Sequence, residues 1–216
     1  MDPGVSVSGW QPRDVVTLTF SIAGLLLSLV TLYLTVLRPA ALKAFIGDFL
    51  IVRLTWDGSV LIAPELAIYN AGAKVGAVFR VSGLLTSRDS DREVRLRWKT
   101  VWKAENIAGP GETAKPFWSF ASFPEVIVVP SAETVTRRLM LVSVAKFELQ
   151  PGTYELGIKA SSGGRERDVV EARIQLRIKE GDRAWLSSHK PETEGATASV
   201  LYFRYDPKAG CYLHPD

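Results

Sequence analysis

The sequence predicts an all-β domain, an antiparallel sandwich, preceded by one N-terminal transmembrane α-helix. Three observations carry this. Val15 to Leu37, VVTLTFSIAGLLLSLVTLYLTVL, holds no charged residue. At 1.5 Å per residue it makes a helix of roughly 34 Å, against a bilayer core of about 30 Å. From Phe49 onward the apolar period drops to two, with turn residues every few positions. No soluble stretch carries a convincing helical period, and many short strands without helices argue a sandwich.

Residues 1–14 read as a short polar tail and 15–38 as the span. A cleaved signal peptide would need a basic front, a shorter apolar run and a small-x-small site. Here Arg13 stands beside Asp14, and Leu37-Arg38-Pro39 follows the run. Pro39 cannot continue the helix. Trp10 and Arg13 suit one interface, Arg38 and Lys43 the other. Arg38, Lys43 and Arg53 outweigh Arg13, so the positive-inside rule places the following domain on the cytoplasmic side.

Inside the span, Thr17, Ser21, Gly24, Ser28, Thr31 and Thr35 fall on one face. Small and hydroxyl residues in such a stripe let a second helix approach closely, so a transmembrane partner or a homo-oligomer is expected. The alternative is that each hydroxyl bonds back to its own helix.

Residues 39–47 read as a juxtamembrane link and 48–180 as the β domain. Phe49 to Trp56 is a strand ended by Asp57-Gly58, a strong turn pair. Glu65 to Tyr69 ends at Asn70-Ala71-Gly72-Ala73, and Val75 to Leu85 continues as strand. Val94 to Trp102 alternates, with Val94, Leu96, Trp98 and Trp102 on one side and Arg95, Arg97, Lys99 and Lys103 on the other. Phe117, Trp118, Phe120 and Phe123 form an aromatic run read as a core plug. Strands follow at Val126–Val129, Thr134–Val144, Tyr154–Ala160 and Val169–Ile178, the last exposing Arg173, Arg177 and Lys179. Residues 181–216 read as a loop and a tail packed on the sandwich, Val200–Tyr205 being a last strand or part of that tail.

Leu149 to Ala160, LQPGTYELGIKA, resembles the tyrosine-corner stretch of fibronectin type III and other immunoglobulin-like domains. The resemblance implies an immunoglobulin-like sandwich in which the Tyr154 hydroxyl bonds back to backbone upstream. One residue fewer separates Thr153 and Tyr154 than in the fibronectin pattern. The layout of a leading span, Leu-Arg-Pro and a β domain resembles prokaryotic membrane-anchored proteins, which implies no particular function.

Catalytic, cofactor and metal sites are not expected. Cys211 is the sole cysteine, and Cys211 with His214 makes half of a zinc pattern. No phosphate-cradling loop or complete set of catalytic roles stands out. The net charge of +3 is mild, and the basic stripes lack interleaved exposed aromatics, which argues against nucleic acid. Two functions remain. One is a non-enzymatic single-pass scaffold that binds a protein through its β domain. The other is a membrane-tethered module for anionic ligands or lipid head groups, using Arg95, Arg97, Lys99, Lys103, Arg173, Arg177 and Lys179. The bland alternative is that these cations are simply hydrated and protect the sheet from edge pairing.

Overall fold

The computed structural model describes residues 12–107, 115–162, 169–193 and 200–215, apart from the side chains of 103–107, 115–120, 169 and 170. Helix α1 (Pro12–Leu32) starts on a proline, whose missing N–H is no loss in a first turn. The last turn, Tyr33–Leu37, widens so that the Arg38 N–H donates to Tyr33 O at 2.8 Å. Pro12–Leu37 is apolar and long enough to cross a membrane, and none of the described residues buries it.

Among the described residues that follow, the regular structure is β apart from one short helix. The strands are β1 (Leu42–Leu54), β2 (Val60–Asn70), β3 (Gly76–Val78), β4 (Arg80–Ser87), β5 (Glu93–Ile107), β6 (Lys115–Ser122), β7 (Ile127–Val129), β8 (Thr134–Ser143), β9 (Gly152–Ser161) and β10 (Val169–Ile178). Helix α2 (Glu180–Ser188) follows, then β11 (Leu201–Asp206) and β12 (Cys211–Leu213). Ten strands form one sheet in the order β4-β9-β10-β12-β11-β1-β2-β8-β5-β6, and β5 also pairs β4. That extra pairing closes the ladder on itself, with β6 appended to the far half of β5. All the pairings are antiparallel except β10 with β12. β3 and β7 make a separate two-stranded ribbon.

The β1–β2 hairpin turns where Asp57-Gly58 predicts it. Gly58 sits at φ +83, and Asp57 accepts from the Ser59 N–H at 3.0 Å. The carboxyl of Asp57 is held below its ordinary pKa, first by the Thr55 hydroxyl and then by the Ser59 backbone.

The main core gathers the inward side chains of nearly every strand, including Leu50, Ile62, Leu96, Leu141, Leu156 and Phe203. A second cluster, Ile51, Leu61, Ala63, Met140 and Val142, lies on the opposite face of β1, β2 and β8. These strands are buried on both faces, which is why they read as nearly unbroken apolar runs.

Four sequence readings change. The link at 39–47 is strand from Leu42, because Leu42–Ile46 pairs with Leu66–Asn70. Val75–Leu85 is split into β3 and β4 at Phe79. A register shift between Trp98 and Thr100 turns β5 over, so Val101 enters the main core while Trp102 packs on the second cluster beneath Arg53. Residues 181–216 are more than a tail: α2 forms there, and β11 and β12 complete the ring. The α2 start is secured by the Asp182 carboxylate, which accepts the Lys179 N–H at 2.8 Å. Nine residues including Gly181 give too little intrinsic helicity to show in the sequence.

Tyr212 in β12 is 2 % exposed and donates its hydroxyl to Gly47 O in β1. Burial, helped by Asp48 and Tyr205, pushes its pKa up to about 12. The folded state therefore holds this proton more tightly than the unfolded chain, whose tyrosine titrates near 10. Its contribution is complete below about pH 10 and is lost as pH rises toward about 12. Thermal unfolding followed from pH 8 to 12 should show a steeper alkaline loss in the native protein than in Tyr212→Phe.

Candidate functional site

Two features stand out: the junction between helix and domain, and the outer face of β5-β4-β9-β10.

At the junction the chain leaves α1 through Arg38, Pro39, Ala40 and Ala41. Asn70, at the end of β2, is fully buried there. Its side-chain oxygen accepts the N–H of Ala41 at 3.1 Å and of Gly72 at 2.9 Å. Its amide donates to Lys74 O at 2.8 Å and Val129 O at 3.2 Å. The backbone of Asn70 pairs with Ala132 and Glu133. One side chain thus ties together the segment leaving the helix, the 70–74 turn and β7. Three more bonds close the joint: Ala73 N–H and Lys74 N–H both donate to Arg38 O at 3.2 Å, and Ala71 N–H donates to Ala41 O at 2.9 Å.

Gly72 is packed so closely that a Cβ there would lie 2.1 Å from Pro39 O and 2.6 Å from Ala40 Cα. Helix α1 is therefore held by backbone contact, with no free linker between Arg38 and β1. In the sequence, Asn70-Ala71-Gly72 reads only as a turn. Its role depends on Pro39–Ala41 and Val129, which lie far away in the chain.

On the outer face, registry places Arg95 opposite Leu84, Leu84 opposite Gly157 and Gly157 opposite Arg173. The next row runs Arg97, Ser82, Lys159, Glu171. The two basic strands predicted from alternation thus share one face, separated by β4 and β9, which add Arg80 and Lys159. Gly157 leaves a groove of about 710 Å³ between them. A Cβ added at Gly157 would meet nothing closer than Glu171 Oε1 at 3.7 Å.

The groove is not uniformly positive. Arg173 pairs with Glu171 at 3.1 Å and Glu155 at 3.4 Å, and Arg88 also pairs with Glu155, at 3.0 Å. The hydrogen bond to Glu171, then the charges of Glu171 and Glu155, hold the Arg173 pKa above its ordinary value. Sequence reading missed Arg80, Lys159 and Gly157, because only the β4–β9 pairing brings them beside the predicted stripes.

The remaining predicted residues disperse. Lys179 is off this face: it caps α2 and reaches His214 O at 3.5 Å. The side chain of Lys103 lies outside the described residues, as do those of Phe117, Trp118 and Phe120. Arg177 stands opposite Thr153, toward the end of the domain far from α1. Lys99 is exposed beside the β5 irregularity.

In α1 and the widened turn after it, Thr17, Ser21, Ser28, Thr31 and Thr35 each donate to the carbonyl four residues earlier, at 2.7–2.9 Å. Gly24 has open space around it. The Tyr154 hydroxyl donates to Gln150 O and accepts from Gln150 N–H, both at 2.9 Å, and its ring meets Phe147 edge-on. Burial raises its pKa.

Cys211 is buried. His214 bonds Tyr202 O through Nδ1 at 2.7 Å and tilts against Phe203. Among the described residues no cluster of three or more His, Cys, Asp or Glu could hold a metal.

No protein-family model matches the chain, and no curated protein matches it. Three solved structures share some of its shape. A family 123 glycoside hydrolase from Clostridium perfringens is 13 % identical, over 63 % of this chain and 27 % of its own, with a TM-score of 0.36. A protein described as a lipoprotein from Bacillus subtilis is 12 % identical, over 70 % of this chain and 42 % of its own, with a TM-score of 0.36. The Salmonella SafD adhesin is 13 % identical, over 65 % of this chain and 99 % of its own, with a TM-score of 0.32. The chain spans well under half the length of the first two. TM-scores this low leave its function unaddressed.

Proposed function

We propose that the chain is a non-enzymatic, single-pass membrane scaffold that presents its β domain to a protein partner in a fixed orientation. The observation that carries this is the joint at Asn70 and Gly72. A flexible tether only limits how far a domain can wander, whereas a backbone-clamped helix also fixes which face points along the membrane. α1 crosses the bilayer, and the basic residues after it favour the cytoplasmic side for the domain. A second helix, from a partner subunit or another copy, packs at the notch around Gly24. The hydroxyls on that stripe already bond within α1, so the contact is one of close packing more than of hydrogen bonds. Replacing Gly24 and Ser28 by Leu should lower recovery of the partner, or of a tagged second copy, from mild-detergent extracts. Unchanged recovery would remove the helix from the interface.

The groove over Gly157 favours a second reading, a site for an anionic ligand. Arg80, Arg95, Lys159 and Arg173 surround a floor opened by Gly157, beside Leu84 and Ser82. In this reading the ligand competes with Glu155 and Glu171 for Arg173, so affinity is modest and sensitive to salt. Titrating the full chain in nanodiscs with a soluble polyphosphate should show binding that weakens steadily with salt. Arg95→Glu with Lys159→Glu should abolish it. Equal binding by that double variant would place the anion elsewhere.

A further inference from the structure

The β3–β7 ribbon breaks the rule that an outer face is polar. Val78, Ile127 and Val129 point into the core. The alternate positions point outward: Ala77 in β3 with Val75 and Phe79 flanking it, and Val128 in β7 with Val126 just before it, Ala77 lying directly opposite Val128. Val75 is 63 % exposed, Phe79 59 %, Val126 46 % and Val128 54 %. A contiguous apolar patch of this kind on a soluble surface marks a surface that something covers.

Its position says what covers it. The N–H of Lys74, one residue before Val75, donates to Arg38 O at the very end of the membrane helix. Gly76 packs on the same joint, where an added Cβ would lie 2.6 Å from Leu42 Cδ2 and 3.4 Å from Ala40 Cβ. The apolar helix Pro12–Leu37 has 26 residues. It is about 39 Å long, more than the roughly 30 Å hydrocarbon core, so its end reaches the head-group layer. The ribbon is clamped at that level. Exposed Lys74 and Arg80 bracket β3, with Arg38 beside it. Apolar side chains flanked by cations suit a lipid interface, with Phe79 and the valines below and the charges at the phosphates.

We propose that the outer face of the β3–β7 ribbon seats in the interfacial layer of the same bilayer that α1 crosses. The proposal rests on α1 being a membrane span. The seat and the hydrogen-bonded Asn70 joint together give the domain two points of attachment, one to α1 and one through lipid.

The test uses the full chain carrying Cys211→Ser, with a single cysteine placed at Val128, Phe79, Leu27 or Asp91 and labelled with an environment-sensitive fluorophore. The protein is reconstituted in phosphatidylcholine–phosphatidylglycerol vesicles whose acyl chains are brominated at shallow or deep positions. Labels at Val128 and Phe79 should be blue-shifted and lose emission with shallow bromines, while Asp91, in the loop far from α1, should not respond. Quenching at Leu27 with none at Val128 overturns the seat alone. A blue shift at Val128 without quenching means protein covers the ribbon and also overturns it. An unquenched Leu27 overturns the membrane span itself, and the seat falls with it.

Discussion

Replacing Asn70 by Ala is expected to lower the stability of the domain by about 3–5 kcal/mol. Four side-chain hydrogen bonds are lost at a site with no exposure. The cost is greater than the bonds themselves, because the Gly72 N–H and the Val129 carbonyl stay buried, and the Ala41 N–H and the Lys74 carbonyl partly so. Each buried group left without a partner costs about 1–3 kcal/mol, less where water can enter. A domain of this size has only about 5–15 kcal/mol in total. At about 2–4 °C per kcal/mol, the melting temperature of the full chain in detergent should fall by roughly 6–20 °C. Asn70→Asp is the sharper control. It keeps both acceptor bonds but turns a carboxylate oxygen toward two carbonyls, in a place where an unpaired charge is costly. It should do no better than Ala. If either variant melts within a degree or two of the native protein, the joint is not what organises this end of the fold.

The second large effect is expected at Gly72. Its φ is not the reason, since the residue lies outside the left-handed region. The reason is space: a methyl group would sit 2.1 Å from Pro39 O and 2.6 Å from Ala40 Cα, both backbone atoms that cannot rotate away. Gly72→Ala must push the segment leaving α1 off the 70–74 turn. Overpacking of this kind typically costs about 1–3 kcal/mol. The lost Arg38 O contacts would add to that. The effect differs in kind from that of Asn70→Ala. The sheet itself should survive, with far-ultraviolet circular dichroism unchanged, while protease cleavage between Arg38 and Leu42 becomes fast. A native-like cleavage rate in Gly72→Ala would show that the helix and the domain were never closely joined.

These two residues also show where sequence reading stops. α1 was legible because a long uncharged apolar run needs no distant partner to be read as a helix. The β class, the Asp57-Gly58 hairpin and the alternation of β5 up to Trp98 were legible because they depend on neighbours in the chain. The Tyr154 corner could be anticipated from a local pattern, and its bonds to Gln150 are local too. The irregularity after Trp98 left no mark in residue type, so Trp102 reads inward from period alone. β11 and β12 are short, and their places beside β1 and β10 come from distant partners. The same limit applies to the candidate site. The cations of β5 and β10 are visible as stripes. Their meeting on one face, and their partial neutralisation by Glu155 and Glu171, follow from the intervening β4 and β9.

The proposed function requires the domain to be held in a fixed orientation to α1. The most direct measurement is the distance distribution between two spin labels in the full chain in a bilayer, at Leu27→Cys in α1 and Asp91→Cys at the far end of the domain, with Cys211→Ser. A variant with a Gly-Ser insertion between Arg38 and Leu42 provides the flexible reference. A single narrow distribution for the native joint, widening to that of the reference in Gly72→Ala, is the predicted result. A native distribution as broad as the reference would contradict the account.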